Sequence, residues 1–159
     1  MIKKFQTEIK WGIILTVVSI IWAYFEKLWG WHDEEVSMHL FYGMLFAIPC
    51  FVIYFFALRE KRDGDFDGVM NWKQLVVSGA IMGAVVAAFS PLSQYLIYTY
   101  ISPDYFKNAI ESGMERGMTK EGAEAYFNLV SYIQQSALSA IPFGLVTAAI
   151  LGMFLKRKA

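Results

Sequence analysis

Charge is scarce in this chain. Asp, Glu, Lys and Arg make up 18% of its 159 residues, and none falls between Leu75 and Ile101. A soluble domain normally carries about 25%. Acids and bases balance to a net charge of zero, so nothing favours nucleic acid or bulk electrostatic steering. Cysteine is reduced to Cys50, inside an apolar run, which excludes an internal disulfide and leaves the redox compartment unread. There is no HExxH, no GxSxG and no phosphate-cradling glycine loop, so hydrolytic and nucleotide chemistry have no motif to stand on. The chain is expected not to be an enzyme and to need no cofactor. The first apolar stretch has no small-x-small cleavage site after it, and is read as an uncleaved span.

What is abundant is apolar length. Hydrophobic residues reach 57%, and they gather in four runs: Trp11–Leu28, Met38–Leu58, Leu75–Ile101 and Leu129–Leu155. Each is long enough to cross a hydrocarbon core of about 30 Å as a helix. The expected fold is all-α, a four-span transmembrane helix bundle forming a single integral membrane domain over residues 1–159. Gly79, Gly83, Ala87 and Pro91 recur every fourth residue in the third run. Ser136, Ala140, Gly144, Ala148 and Gly152 do the same in the fourth. Shorter seams occur in the first (Gly12, Thr16, Ser19, Ala23) and the second (Gly43, Ala47, Cys50). Small residues at that spacing let helices approach closely in lipid, so spans three and four are expected to lie against each other. Pro91 and Pro142 free the carbonyls of Ala87 and Leu138, giving a hinge or, more simply, a fixed kink.

Sidedness follows from the basic residues. The N-terminal segment (Lys3, Lys4, Lys10), the 59–73 loop (Arg59, Lys61, Arg62, Lys73) and the tail (Lys156, Arg157, Lys158) hold ten of the fourteen. The positive-inside rule then places both termini in the cytoplasm and the chain in the inner membrane. Trp11 and Trp72 would mark the inner interface, Trp29 and Trp31 the outer. Outside lies residues 102–128, expected to be a helical lid. Ser102-Pro103-Asp104 reads as a helix start, Gly113 and Gly117 as interruptions, and Thr119 as the cap of a second helix.

Two groups invite chemistry. Asp63-Gly64-Asp65-Phe66-Asp67-Gly68 resembles the opening of a calcium loop, with acids at alternate positions and glycine at the sixth. Gln74 stands where such a loop needs a bidentate Glu, so a polar juxtamembrane turn is the simpler reading. At the outer end, Glu26, His39, Gln94, Gln134 and Gln135 sit at or beyond the small-residue seams. Polar side chains in spans face the bundle interior or a wet cavity, so these five are a candidate polar pocket. Placement at the water interface, with glutamines joining helices, is the plainer alternative. A Glu35–His39 metal pair at i, i+4 is incomplete by itself and would need His32, Asp33 or Glu34.

The run Ile101-Ser102-Pro103-Asp104-Tyr105-Phe106 and the segments Ala123-Glu124-Ala125-Tyr126-Phe127-Asn128-Leu129 and Ser131-Tyr132 resemble one family. So do Ile9-Lys10-Trp11-Gly12 and Ala57-Leu58-Arg59-Glu60-Lys61. It is the bacterial membrane family called domain of unknown function 4199. The resemblance implies a small integral membrane protein of a cell envelope and implies no activity. The expected role is structural or accessory, through helix–helix contacts in the bilayer with a second copy or a partner membrane protein. The alternative is a small-solute or proton-linked transporter using the outer polar pocket.

Overall fold

The computed structural model describes residues 2–157; Lys158 of the basic tail lies outside them. It is 84% helical, without a strand among the described residues. Seven α-helices follow in order among the described residues: α1 (Gln6–Leu28), α2 (His39–Gly43), α3 (Ala47–Asp65), α4 (Trp72–Leu96), α5 (Tyr105–Glu115), α6 (Lys120–Tyr126) and α7 (Leu129–Leu155). Four stretches are long and apolar enough to cross a membrane: Gln6–Leu28, Phe41–Asp65, Trp72–Ile101 and Leu129–Leu155.

The four do not pack equally. α4 and α7 make the most extensive contact in the molecule, followed by α1 and α4. Between α4 and α7 the small-residue rows meet face to face. A Cβ built on Gly79 would run into the Ala148 side chain and lie 2.6 Å from the Gly144 carbonyl oxygen. One built on Gly83 would lie 3.0 Å from the Ile141 Cα. Ala148 is fully buried, while Ala87, Ser136 and Ala140 are half-buried. On α1, Gly12 is close enough to α4 that a Cβ would meet Val85 at 2.6 Å. Lipid tails are as apolar as leucine, so close backbone approach is what such helices gain by associating. The large side chains point the other way: Leu138, Phe154, Met44 and Ile48 are among the most exposed apolar residues.

Proline stands in three spans, and its missing N–H acts there: Pro142 lies inside α7 without ending it, and Pro91 and Pro49 have local effects. In α4, Pro91 leaves the Ala87 carbonyl free, and the Ser90 hydroxyl donates to it at 2.9 Å. Pro49 acts on the second span, where the turn before it tightens to a 3₁₀ helix over Met44–Phe46. That turn separates α2 from α3. The α4 helix begins with a capping box: Asn71 accepts from the Gln74 N–H at 3.0 Å, and the Gln74 side chain accepts from the Asn71 N–H at 2.8 Å. Asn71→Ala should lower stability by about 1 kcal/mol in a chemical-denaturation series in detergent, the usual effect of losing such a cap.

One end of the bundle gathers the N-terminus, the α3–α4 turn and the end of α7. The Arg157 N–H donates to the Met70 carbonyl at 3.0 Å, and Arg62 Nη1 to the Leu155 carbonyl at 3.1 Å. Here the sequence reading needs correcting. Residues 59–65 are not loop: α3 continues through Asp65, and only 66–71 turns, with Asp67 and Gly68 both at positive φ. The helix continues because its charges have partners. Lys61 is buried, with its Nζ 3.0 Å from Glu8 Oε2, 2.6 Å from Asp65 Oδ2 and 2.5 Å from the Lys4 carbonyl. Glu60 binds Lys10 and the Trp11 indole N–H, the latter at 3.0 Å.

The other end is covered by α5 and α6. Thr119 caps α6 by accepting from the Gly122 N–H at 3.1 Å, as expected. Two other expectations fail there. Gly113 lies within α5, not at a break, because Phe127 and Met118 pack where its side chain would be; only Gly117, at φ +95°, ends the helix. Ser102 does not cap α5; its hydroxyl is turned inward.

Candidate functional site beneath the lid

The site begins with how α1 ends. Trp29 is the last half-helical residue, and Gly30 follows at φ +78°. The Gly30 N–H donates to the Lys27 carbonyl and the Trp31 N–H to the Glu26 carbonyl, the paired bonds of a Schellman motif. The chain is thereby folded back over the helix end, and His32 comes down on Glu26. A 3₁₀ turn, Val36–Met38, then delivers His39 at the start of α2.

The three side chains converge. Glu26 Oε2 lies 3.3 Å from His32 Nε2 and 3.5 Å from His39 Nε2. One ligand-type atom from each falls within 4.8 Å of the others. His32 is 1% exposed and Glu26 6%; His39 is half-buried. Each group is oriented from behind. The Trp22 indole N–H donates to Glu26 Oε1 at 2.9 Å. Ser102 Oγ is 2.6 Å from His32 Nδ1, and the Tyr105 hydroxyl is 2.9 Å from His39 Nδ1. Tyr105 is in turn 3.1 Å from the Tyr132 hydroxyl. Burial pushes the Tyr105 phenol well above its ordinary value, so it stays a neutral hydroxyl that can serve the imidazole as donor or acceptor. Asn108 Nδ2 donates to the His32 carbonyl at 3.2 Å, so the start of the lid fixes both histidines.

Below the cluster is a cavity of about 390 Å³ whose walls include Glu26, His39, Gln94 and Ser136, and whose floor is Leu15, Cys50 and Tyr54. From Glu26 down to Leu15 is eleven residues of α1, roughly 16 Å of helix rise, or about half a 30 Å core. A second recess of about 650 Å³ lies under the lid and shares His39 and Gly43 with the first.

Of the five pocket residues expected from sequence, Glu26, His39 and Gln94 line the cavity together. Gln135 does not; it lines the lid recess, where its Oε1 is 3.4 Å from the Tyr126 hydroxyl. Gln134 is exposed and lines neither. Consecutive helical residues diverge by about 100°, so Gln134, Gln135 and Ser136 were never able to share one wall. The Glu35–His39 pair is also not formed as drawn. The 3₁₀ turn between them puts residues four apart about 120° out of line, and Glu35 is exposed. Asp33 is taken by Lys27 at 2.6 Å. Sequence reasoning gave His32 only a supporting part, although Gly30 after a helix end was the available sign that the chain turns back.

The acidic group Asp63, Asp65 and Asp67 is placed differently from a calcium loop. Asp63 and Asp65 belong to the last turns of α3, where Asp63 pairs with Arg62 at 2.7 Å and Asp65 with Lys61 at 2.6 Å. Asp67 stands apart in the turn. Among the described residues, the group whose ligand atoms gather is Glu26, His32 and His39.

A family model described as Protein of unknown function (DUF4199) matches residues 10–157. The chain belongs to this family. No curated protein and no solved structure matches it. The DUF4199 match runs from Lys10 within α1 through α7, and takes in the Glu26–His32–His39 cluster, the cavity and the lid.

Proposed function

We propose that this chain is a small-solute carrier of a bacterial inner membrane, with both termini in the cytoplasm and the lidded cavity open to the outside. The observation that carries it is the cavity running from Glu26 to Tyr54, polar at its mouth and ending near mid-depth. A further recess of about 700 Å³ opens at the opposite end of the bundle, walled by Glu8, Lys61 and Ser78. Between the two stands a layer of Leu15, Tyr54, Ala57 and Met82. On α3 the separation is the two turns from Tyr54 to Lys61, roughly 10 Å. Two recesses facing opposite ends leave only that thin apolar layer for helix rocking to open and close, as alternating access about a midplane site does. The orientation is supported by the concentration of Lys and Arg at the end holding the termini.

An accessory role through helix contacts with a second copy or another membrane protein has less support. The Gly79–Gly83 and Gly144–Ala148 rows on which it would draw are occupied within the chain. Nothing in the proposal requires catalysis or a nucleic-acid partner; the lipid bilayer is the surrounding medium.

Cysteine labelling tests both cavity and sidedness. In a Cys50→Ala background, Gln94→Cys and Ser136→Cys should react with a small charged thiosulfonate added outside sealed cells. Leu138→Cys, facing lipid, and Asp67→Cys, at the far end, should stay unreactive until the membrane is opened or never react at all. Protection of both cavity positions would remove the carrier reading. Reaction of Asp67→Cys in sealed cells would reverse the orientation.

A further inference from the structure

We propose that Glu26, His32 and His39 bind a divalent transition-metal cation of the zinc class, held by two imidazole Nε2 atoms and one carboxylate oxygen. The inference deepens the carrier reading by naming a ligand for the cavity mouth. Four observations converge on it.

The first is spacing. Zinc with bonds of about 2.0–2.1 Å in a tetrahedron sets neighbouring ligand atoms roughly 3.4 Å apart. The two imidazole–carboxylate separations are 3.3 and 3.5 Å. The second is an orphaned donor. His32 Nε2 is buried and makes no hydrogen bond, although Glu26 Oε2 is within reach by distance. Its in-plane nitrogen direction therefore passes beside that oxygen, as it does when both groups address a third atom between them. The third is charge. Glu26 is buried, Trp22 donates to its Oε1, the groups facing its Oε2 are the two imidazoles, and Lys27, the next residue along, is turned to Asp33 at 2.6 Å. A carboxylate so placed needs positive charge opposite it. The fourth is the outer layer. Both Nδ1 atoms face hydroxyls, Ser102 and Tyr105, which leaves both Nε2 atoms for the metal.

Mixed nitrogen and oxygen donors suit zinc and its neighbours, whereas calcium and magnesium take oxygen throughout. Three protein ligands leave one position open. Gly43 lies beside the group: a Cβ there would stand 3.7 Å from Glu26 Oε1 and 4.0 Å from His39 Nε2, in ordinary contact with both. The fourth place can take water, or a donor atom of a solute entering the cavity.

The test is titration of tag-free protein in detergent with ZnCl₂, followed calorimetrically, and with CoCl₂, followed by visible absorption. One zinc per chain and the intense spectrum of tetrahedral cobalt are expected. His39→Ala and Glu26→Gln should each weaken zinc by more than the roughly 10- to 100-fold that losing a supporting group costs. Ser102→Ala should fall within that range, and Asp65→Ala should change nothing. His39 is half-buried, so its variant should remain monodisperse; Glu26→Gln keeps the side-chain shape and gives an independent reading. Absence of zinc uptake by the unaltered chain, a weak octahedral cobalt spectrum, or zinc affinity in His39→Ala or Glu26→Gln equal to that of the unaltered chain overturns the site. Cysteine labelling at Gln94 and Ser136 judges the cavity separately, so loss of the metal and loss of the carrier reading are told apart.

Discussion

Gly144→Val should abolish the stable bundle, or lower its melting temperature by roughly 6–12 °C on the order-of-magnitude scaling of stability with chain length. The native backbone leaves no volume for the first added atom. A Cβ at residue 144 would collide with the Gly79 carbonyl oxygen and stand 2.7 Å from the Tyr54 hydroxyl. Tyr54 is itself among the most deeply buried side chains, so it can yield only by leaving its place for the cavity it floors. The two helices must separate, and overpacking of this kind costs about 3 kcal/mol. Gly79→Val should behave the same way, because the contact is reciprocal. Gly64→Ala supplies the control of opposite sign. It lies in α3 with nothing within 4 Å of its Cβ position, so alanine should stabilise by about 0.5–1 kcal/mol through helix propensity. Cys50, the chain's one cysteine and buried, lets a thiol-reactive dye report unfolding. A Gly144→Val melting curve that matches the unaltered chain would mean that α4 and α7 do not meet as described.

Lys61→Met should be the second large loss. Glu8 and Lys61 are 3% and 4% exposed, and they join α1 to α3, while the Ser78 hydroxyl of α4 donates to Glu8 Oε1 at 2.9 Å. Removing the lysine leaves a buried carboxylate with one hydroxyl for company, a change that costs about 3 kcal/mol. Glu8→Ala should cost less, because Lys61 keeps Asp65 and the Lys4 carbonyl. The double variant Glu8→Met with Lys61→Met should recover most of the loss, since exchanging a whole buried pair for apolar groups is often close to neutral. Thermal unfolding of the three proteins in detergent gives the comparison. Equal melting temperatures for Lys61→Met and the unaltered chain would show that water in the adjoining recess already screens Glu8.

Much of the scaffold was legible in the primary structure. Four charge-poor runs gave the four crossing helices to within a few residues at most ends, and the four-residue spacing of glycine and alanine anticipated which faces meet. The second span was the exception, since Arg59, Lys61 and Arg62 look like loop residues. They are helical because Arg59 pairs with Asp63 one turn on, while Glu8 and the Lys4 and Leu155 carbonyls, all distant in sequence, accept the protons of Lys61 and Arg62. The candidate site was legible only in part. Glu26 and His39 stood out as polar residues continuing small-residue seams. His32 did not, because its place depends on Gly30 reversing the chain and on Ser102, seventy residues later, holding its ring.

The residue pattern alone determined that the chain is helical, that four stretches cross a membrane, and that small side chains form the seams. Those are properties of composition and local period, and each helix satisfies its own backbone wherever it lies. Tertiary structure alone decided that two histidines and a glutamate meet, that a cavity opens beneath them, and that Asp63, Asp65 and Asp67 are not gathered into one group. Those outcomes depend on turns that reset direction and on partners far apart along the chain, neither of which is written in any one segment.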